Sequence, residues 1–283
     1  MFVVTKIGQG YSADVQLVNR CGQLMAMKVF KQQQSSLYEN EIKMMQLLSN
    51  IPGVIRVREC ECDGCIMMDY AKQGNLLQYL KLRKFTEEFS RHYFKQIIQI
   101  ISEIHKKGVA HRDLKLENIL LDDNFNILIC DFGYAINFLD AQGKRNKINT
   151  YVGSPSTAAP EIFLQQPYHG IEADLFQLGV ILFQITSGFC PFQTANIKTD
   201  QVYQLIYRKQ HNKFWEVQQV DFSPELKDLI IKLLAFNPNQ RLSISEIEAH
   251  PWILKCGVDD SLIVHEMSNR YQQILQTSEE SEK

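Results

Sequence analysis

The chain has 283 residues, 45% of them hydrophobic, and a formal net charge of −2. That length and apolar content suffice for a sizeable core in one or two domains. The near-neutral balance gives no general attraction to nucleic acid or an anionic membrane, so neither is an expected partner, although a local basic patch stays compatible with it.

The opening stretch, Met1 to Lys6, lacks the basic region, apolar run and small-residue cleavage site of a targeting segment. The densest apolar stretch, near Leu178–Ile185, is broken by Gln184, followed by Gly188, and too short to span a bilayer. Seven cysteines, an odd number, lie scattered through apolar segments, which fits reduced thiols better than a disulfide framework. The expected setting is soluble and cytoplasmic, with nuclear entry left open.

In chain order, residues 1–70 read mostly as strands. Phe2–Ile7 and Val15–Asn19 are apolar and β-branched, with Gly8 and Gly10 between them. Leu24–Phe30 is a third run. A helix over Leu37–Leu48 sets Ile42, Met45 and Leu48 on one face, and Pro52-Gly53 lies beyond its end. Val54–Glu61 and Cys65–Tyr70 read as a hairpin turning at Asp63-Gly64. Cys60, Cys62 and Cys65 on it are read as plain thiols, because a four-ligand zinc site usually needs a second cysteine pair. After Gly74 the pattern becomes helical. Phe89, Tyr93, Ile97, Ile101 and Ile104 form a stripe through Glu87–Lys107, with Gly108 at its end. Leu175–Thr186 and Pro224–Leu234 are further helices. Strands first and helices second predict an α+β architecture with two lobes. The polar end, Thr277–Lys283, is expected to fray.

Four features carry chemistry. Gly8-Gln9-Gly10-Tyr11-Ser12-Ala13 is a glycine turn whose backbone N–H groups can approach phosphate oxygens. Lys28, in Ala26-Met27-Lys28, suits phosphate contact once an acid fixes it; Glu41 is the better candidate and Glu39 the runner-up. His111-Arg112-Asp113-Leu114-Lys115-Leu116-Glu117-Asn118 supplies a proton acceptor, a cation and an amide ligand in one loop, which phosphoryl transfer needs. Ile127–Cys130 reads as a strand delivering Asp131-Phe132-Gly133, a second carboxylate for magnesium.

With these residues the sequence resembles a eukaryotic protein kinase over about residues 2–253, matching the general template of that family. The resemblance implies a small β-rich lobe over 1–70, a large helical lobe over 71–253 and a partly helical tail over 254–283. It implies ATP and Mg2+ in the cleft between the lobes. Asp113 becomes the catalytic base, with Lys115, Lys28 and Glu41 beside it. Asn118 and Asp131 become the magnesium ligands. Ile7, Gly8 and Gly10 would edge the nucleotide, and Val15, Ala26 and Leu120 would sandwich the adenine. Asp69-Tyr70-Ala71 would be the hinge that binds adenine by backbone atoms, with Met68 guarding the pocket behind it. Glu161, in Ala159-Pro160-Glu161, would pair with Arg241, and Asp174 would support the catalytic loop.

Lys115 and the stretch Gly153–Glu161 resemble serine/threonine kinases, and Ala173–Phe183 with His250-Pro251-Trp252 resembles the calcium/calmodulin-dependent group, nearest its AMP-activated kinase-like branch. Protein substrates are the implied partners, with an upstream activating kinase or autophosphorylation. A calmodulin site is not expected, because residues 259–283 hold six acids against Arg270 and Lys283. Ile263, Met267, Ile274 and Leu275 suit a short helix packed on the large lobe instead. Arg112 is expected to clamp a phosphate on Thr150, although the positions where relatives add further cations hold Leu37 and Ile136. Glu117 with neutral Asn75 and Gln184 suggests a reduced demand for arginine in substrates. Ala13 replaces the third glycine, Asp14 is expected to point outward, and Thr157 replaces a tyrosine. Two other classes compete: a pseudokinase scaffold, supported only by Ala13, and a small-molecule phosphotransferase, disfavoured by Ala159-Pro160-Glu161.

Overall fold

A computed structural model describes residues 1–10, 12–31, 36–58 and 64–281, with side chains through 277. Three strands open the chain: β1 (Phe2–Gln9), β2 (Ala13–Arg20) and β3 (Gln23–Phe30). Cys21 and Gly22 turn β2 into β3 with φ of 52° and 88°, the positive values that a tight hairpin demands. Helix α1 (Ser36–Leu48) follows, then β4 (Val57–Arg58) and β5 (Cys65–Asp69). The five strands form one sheet in the order β1-β2-β3-β5-β4, every neighbour antiparallel.

The alternation of β3 divides its side chains between two environments. Met25 and Met27 pack with Val18 and Met67 in a small cluster of their own. Ala26 and Phe30 join the main core with Met44, Met45 and Leu48 of α1. Lys28 shares the parity of Ala26 and Phe30, so the same alternation turns it toward α1.

The second half is helical: α2 (Leu76–Leu82), then α3 (Glu87–Lys106). Thr86 caps α3 and Gly108, at φ 78°, follows its end. Tyr93, Ile97, Ile101 and Ile104 of the expected stripe are fully buried, and Phe89 is half-buried. Short strands β6 (Val109–Ala110), β7 (Ile119–Leu121), β8 (Ile127–Ile129) and β9 (Ile136–Asn137) bracket the loops that carry the chemistry. Helix α4 (Pro160–Phe163) precedes α5 (Gly170–Ser187), which is buried almost all round and forms the axis of the large lobe. Helices α6 (Gln201–Tyr207), α7 (His211–Gln218), α8 (Pro224–Leu233), α9 (Ile244–Glu248), α10 (Pro251–Leu254) and α11 (Asp260–Ser281) complete the chain.

Several expected bounds move. The Val54–Glu61 strand shrinks to β4 within the described residues; Val54 instead bridges Ile129 of β8. Residues 59–63, with Cys60 and Cys62, lie outside the description, as does Tyr11. Helix α5 begins at Gly170, because Ile171, Glu172, Ala173 and Asp174 form its first turn ahead of the apolar run.

The tail is also longer and more regular than expected. Helix α11 has 22 residues and runs to Ser281, longer than the short helix expected, while residues 282–283 lie outside the description. Ile263 and Met267 are buried, whereas Leu275 is 40% exposed and does not pack as expected. Arg270 explains the attachment: its guanidinium lies 4.5 Å from the Phe85 ring centroid and donates to Glu266, to the Tyr79 carbonyl of α2 and to the Arg83 carbonyl at the end of that helix. No described helix is long and apolar enough to cross a membrane.

Close approach of α5 and α8 depends on one missing side chain. A Cβ on Gly179 would lie 2.7 Å from Leu233 Cβ. Gly179→Ala is therefore expected to cost about 1–3 kcal/mol through overpacking. Urea unfolding measures this, and a variant as stable as the wild type contradicts the packing described.

Candidate active site

Three elements meet at one ammonium. Lys28 Nζ, on β3, donates to both Glu41 oxygens of α1, at 2.8 and 2.7 Å, and to Asp131 Oδ1 at 2.7 Å. Glu39, the alternative partner, is exposed. The Glu41 side chain is 2% exposed and the Asp131 side chain 40%, so Glu41 is the deeper anion. Burial alone would lower the Lys28 pKa, but Glu41 and Asp131 outweigh it and hold the ammonium above its ordinary value. Burial also pushes the Glu41 carboxyl up; Lys28 draws it back, Asp131 adds repulsion, and the result is about 7. Burial opposes ionisation of Asp131 as well, yet Lys28 holds it below the usual carboxylate range. One cation thus serves two carboxylates, and the buried one bears the surplus charge.

Beneath this cluster, the fully buried Phe132 ring packs on His111, centroids 4.9 Å apart. His111 Nε2 lies 3.0 Å from the Cys130 carbonyl. The backbone of the following loop is anchored by α5. Asp174 accepts from His111 N at 2.9 Å and Arg112 N at 2.8 Å, and His105 Nε2 lies 2.7 Å from the same carboxylate. Gln177 receives Leu114 N and donates to the Arg112 carbonyl. These bonds hold Arg112 at φ 67°, a left-handed conformation that costs about 1–3 kcal/mol in a non-glycine residue. Asp131, at φ 65°, has the same strain. Both strained residues flank the chemistry.

Asp113 is 3% exposed, with both oxygens engaged. Ser154 N donates to Oδ1 and Lys115 Nζ to Oδ2, each at 2.8 Å. Lys115 Nζ also reaches Ser154 Oγ at 2.8 Å. Burial alone would lower the Lys115 pKa, but Asp113 and the nearby Asp131 raise it. Gly153 makes room for this contact: its φ is 113°, and a Cβ there would lie 2.7 Å from the Arg112 carbonyl. Asn118 Nδ2 donates to the Asp113 carbonyl at 2.9 Å, which leaves the amide oxygen as the available ligand atom.

The other expected residues differ in burial. Ala26 and Met68 are buried, Val15 and Leu120 half-buried, and Leu120 bridges Asn75. Ile7 is 41% exposed. Asp69 ends β5 and pairs with Arg58, and Ala71 follows as the chain enters the large lobe. Gly10 N donates to the Ala13 carbonyl, and a Cβ on Gly10 would sit 3.0 Å from that oxygen. Asp14 accepts from Lys6 at 3.0 Å. Asn75 caps α2 and Gln184 Nε2 meets Cys190 Sγ, while Glu117 is exposed.

The segment after Asp131 is fastened at two points. Arg112 Nη1 donates to Thr150 Oγ1 at 2.7 Å, and Arg112 Nε donates to the Tyr134 carbonyl at 2.7 Å. Further on, Arg241 Nη1 and Nη2 each reach a Glu161 oxygen at 2.7 Å, both groups buried. Ser154, Gln177 and Asn40 are the contacts that sequence reasoning missed. Ser154 and Gln177 lay within stretches already singled out, but only their spatial partners reveal their contacts.

The charge surplus predicts a pH effect. A carboxyl raised from 4.5 to about 7 in the fold contributes stability below pH 4.5 and loses it as pH rises to about 7. The stability of wild type relative to Glu41→Gln should therefore fall across that window. Denaturant unfolding at several pH values checks it, and a flat or rising difference contradicts the assignment.

The protein kinase domain family matches residues 2–253. CBL-interacting serine/threonine-protein kinase 13 of Arabidopsis thaliana is 33% identical over 88% of this chain and 50% of its own length. CBL-interacting protein kinase 26 of Oryza sativa subsp. japonica is 33% identical over 88% and 51%. NUAK family SNF1-like kinase 1 of Homo sapiens is 36% identical over 84% and 35%. The chain thus spans about half the length of these relatives, or less. Together the site and these matches show that the chain belongs to the protein kinase family, on the serine/threonine side and consistent with the AMP-activated kinase-like branch.

Proposed function

We propose that this chain transfers the γ-phosphoryl group of ATP to serine and threonine hydroxyls of proteins, with Asp113 as the base. The observation that carries the reading is the pair of contacts on Asp113. Ser154 N and Lys115 Nζ orient its carboxylate, and Lys115 sits close enough to Asp131 to feel its charge. An oriented carboxylate can accept the proton of an incoming hydroxyl. Lys115 neutralises charge gathering on the transferred group.

The donor set fits magnesium: Asp131 offers a partly exposed carboxylate and Asn118 an amide oxygen, both hard oxygen ligands. Magnesium, when bound there, would supply positive charge against the phosphate oxygens. Lys28, fixed by Glu41, would hold the inner phosphates, and the glycine turn at Gly8 and Gly10 would let the backbone lie close over them without a Cβ in the way. A scaffold without catalysis is not favoured, since every residue that the chemistry needs is present. Glu117 as the single acid, with neutral Asn75 and Gln184 at the other two positions, supports a reduced demand for arginine in substrates. A cytoplasmic setting, with nuclear entry left open, is proposed alongside this reading.

Labelled ATP with magnesium and a generic protein substrate tests the transfer. Wild type should label serine and threonine, Asp113→Asn should be slower by about 10²–10⁴-fold, and Asp131→Asn should be inactive. A wild type that transfers no phosphate either before or after activation sinks the proposal.

Arg112 already grips the Thr150 hydroxyl, so a phosphate there would gain a charge-assisted partner without rebuilding the loop. Phosphorylation of Thr150, by an upstream kinase or by the chain itself, is expected to raise activity several-fold. If Thr150→Ala matches the fully phosphorylated wild type, that switch does not exist.

A further inference from the structure

Asn40 precedes Glu41 on α1 and has no role in the chemistry proposed above. Its Nδ2 donates to the Gly133 carbonyl at 3.0 Å and to the Ala135 carbonyl at 2.8 Å. The carbonyl between them, that of Tyr134, accepts from Arg112 Nε. Three successive carbonyls are thus held from two sides, by helix α1 and by the catalytic loop.

This fastening meets a specific electrostatic problem. Glu41 and Asp131 converge on one lysine, each within hydrogen-bond distance of the same ammonium. Left alone, like charges would drive α1 and the 131–135 segment apart. Lys28 resists this only while it contacts both. The fit is tight as well, since a Cβ on Gly133 would lie 3.3 Å from Glu41 Oε2. A neutral amide joins the two elements without adding charge, and its two bonds do not involve Lys28.

We infer that Asn40 is a positioning residue that latches α1 to the Asp131-Phe132-Gly133 segment and so keeps Glu41 and Asp131 on Lys28 together. The inference rests on the kinase reading for its kinetic consequences, but the latch itself is a property of the free protein. Leu37, at the start of the same helix, supplies no hydrogen bond that would replace it.

Two variants and two readouts test it. Asn40→Ala removes both donors. Asn40→Asp keeps the size, removes the donors and adds a third carboxylate beside Glu41 and Asp131. In the protein without nucleotide, hydrogen exchange should rise in peptides covering 36–48 and 131–136, and stay unchanged in α5. Unchanged exchange at 36–48 and 131–136 overturns the latch whatever the activity. In the transfer assay, kcat/KM for ATP should fall about tenfold for Asn40→Ala, as expected for two neutral hydrogen bonds, and further for Asn40→Asp. KM for the protein substrate should not change. A loss shared equally by both substrates, or Asn40→Asp as active as Asn40→Ala, overturns the positioning role. An inactive wild type would instead sink the kinase reading, and the exchange result would still decide the latch.

Discussion

The Lys28 ammonium is the point on which the arrangement depends, because three separate elements place a charge there. Strand β3 supplies the cation, α1 supplies Glu41, and the loop after β8 supplies Asp131. An unpaired buried charge is costly, so none of the three elements is free to move far alone. Two anions on one cation remain unbalanced, however. The deeper carboxyl answers by holding its proton to about pH 7. A divalent cation at Asp131 would relieve that surplus, which links the electrostatics of the free protein to the chemistry proposed for it.

Behind the cluster, rigidity comes from buried polar contacts on α5. Asp174 and Gln177 bind the backbone of the loop that carries Asp113, and they hold Arg112 in a conformation it would not adopt alone. Arg241 and Glu161 fasten the far end of the segment in the same way. Arg112 belongs to both systems: its backbone is fixed by Asp174, and its side chain joins Tyr134 to Thr150. A modification at Thr150 would therefore be felt next to Asp131 through two hydrogen bonds.

Much of this was legible in the sequence, for a physical reason. Residues whose chemistry is unusual for their surroundings announce themselves: a lysine among Ala26, Met27 and Val29, or His111-Arg112-Asp113 after an apolar helix. Stripes such as Tyr93, Ile97, Ile101 and Ile104 have one simple burial solution. What stayed hidden depends on three-dimensional partners. Asn40 looks like an ordinary polar residue of a helix surface, and only the nearness of the Gly133 and Ala135 carbonyls distinguishes it. Helix α11 reads as polar near its end, yet Arg270 binds it to α2 and Phe85. Leu275 was misplaced because short apolar spacing does not reveal which face a terminal helix buries.

The central claim is that the Lys28 cluster organises phosphoryl transfer, beyond merely stabilising the fold. Lys28→Met tests it most directly, because it removes the charge while keeping a side chain of similar length. Transfer from Mg·ATP to a protein substrate should fall at least about a hundredfold, with a cooperative unfolding transition retained. A folded Lys28→Met protein that transfers phosphate at the wild-type rate would contradict the account.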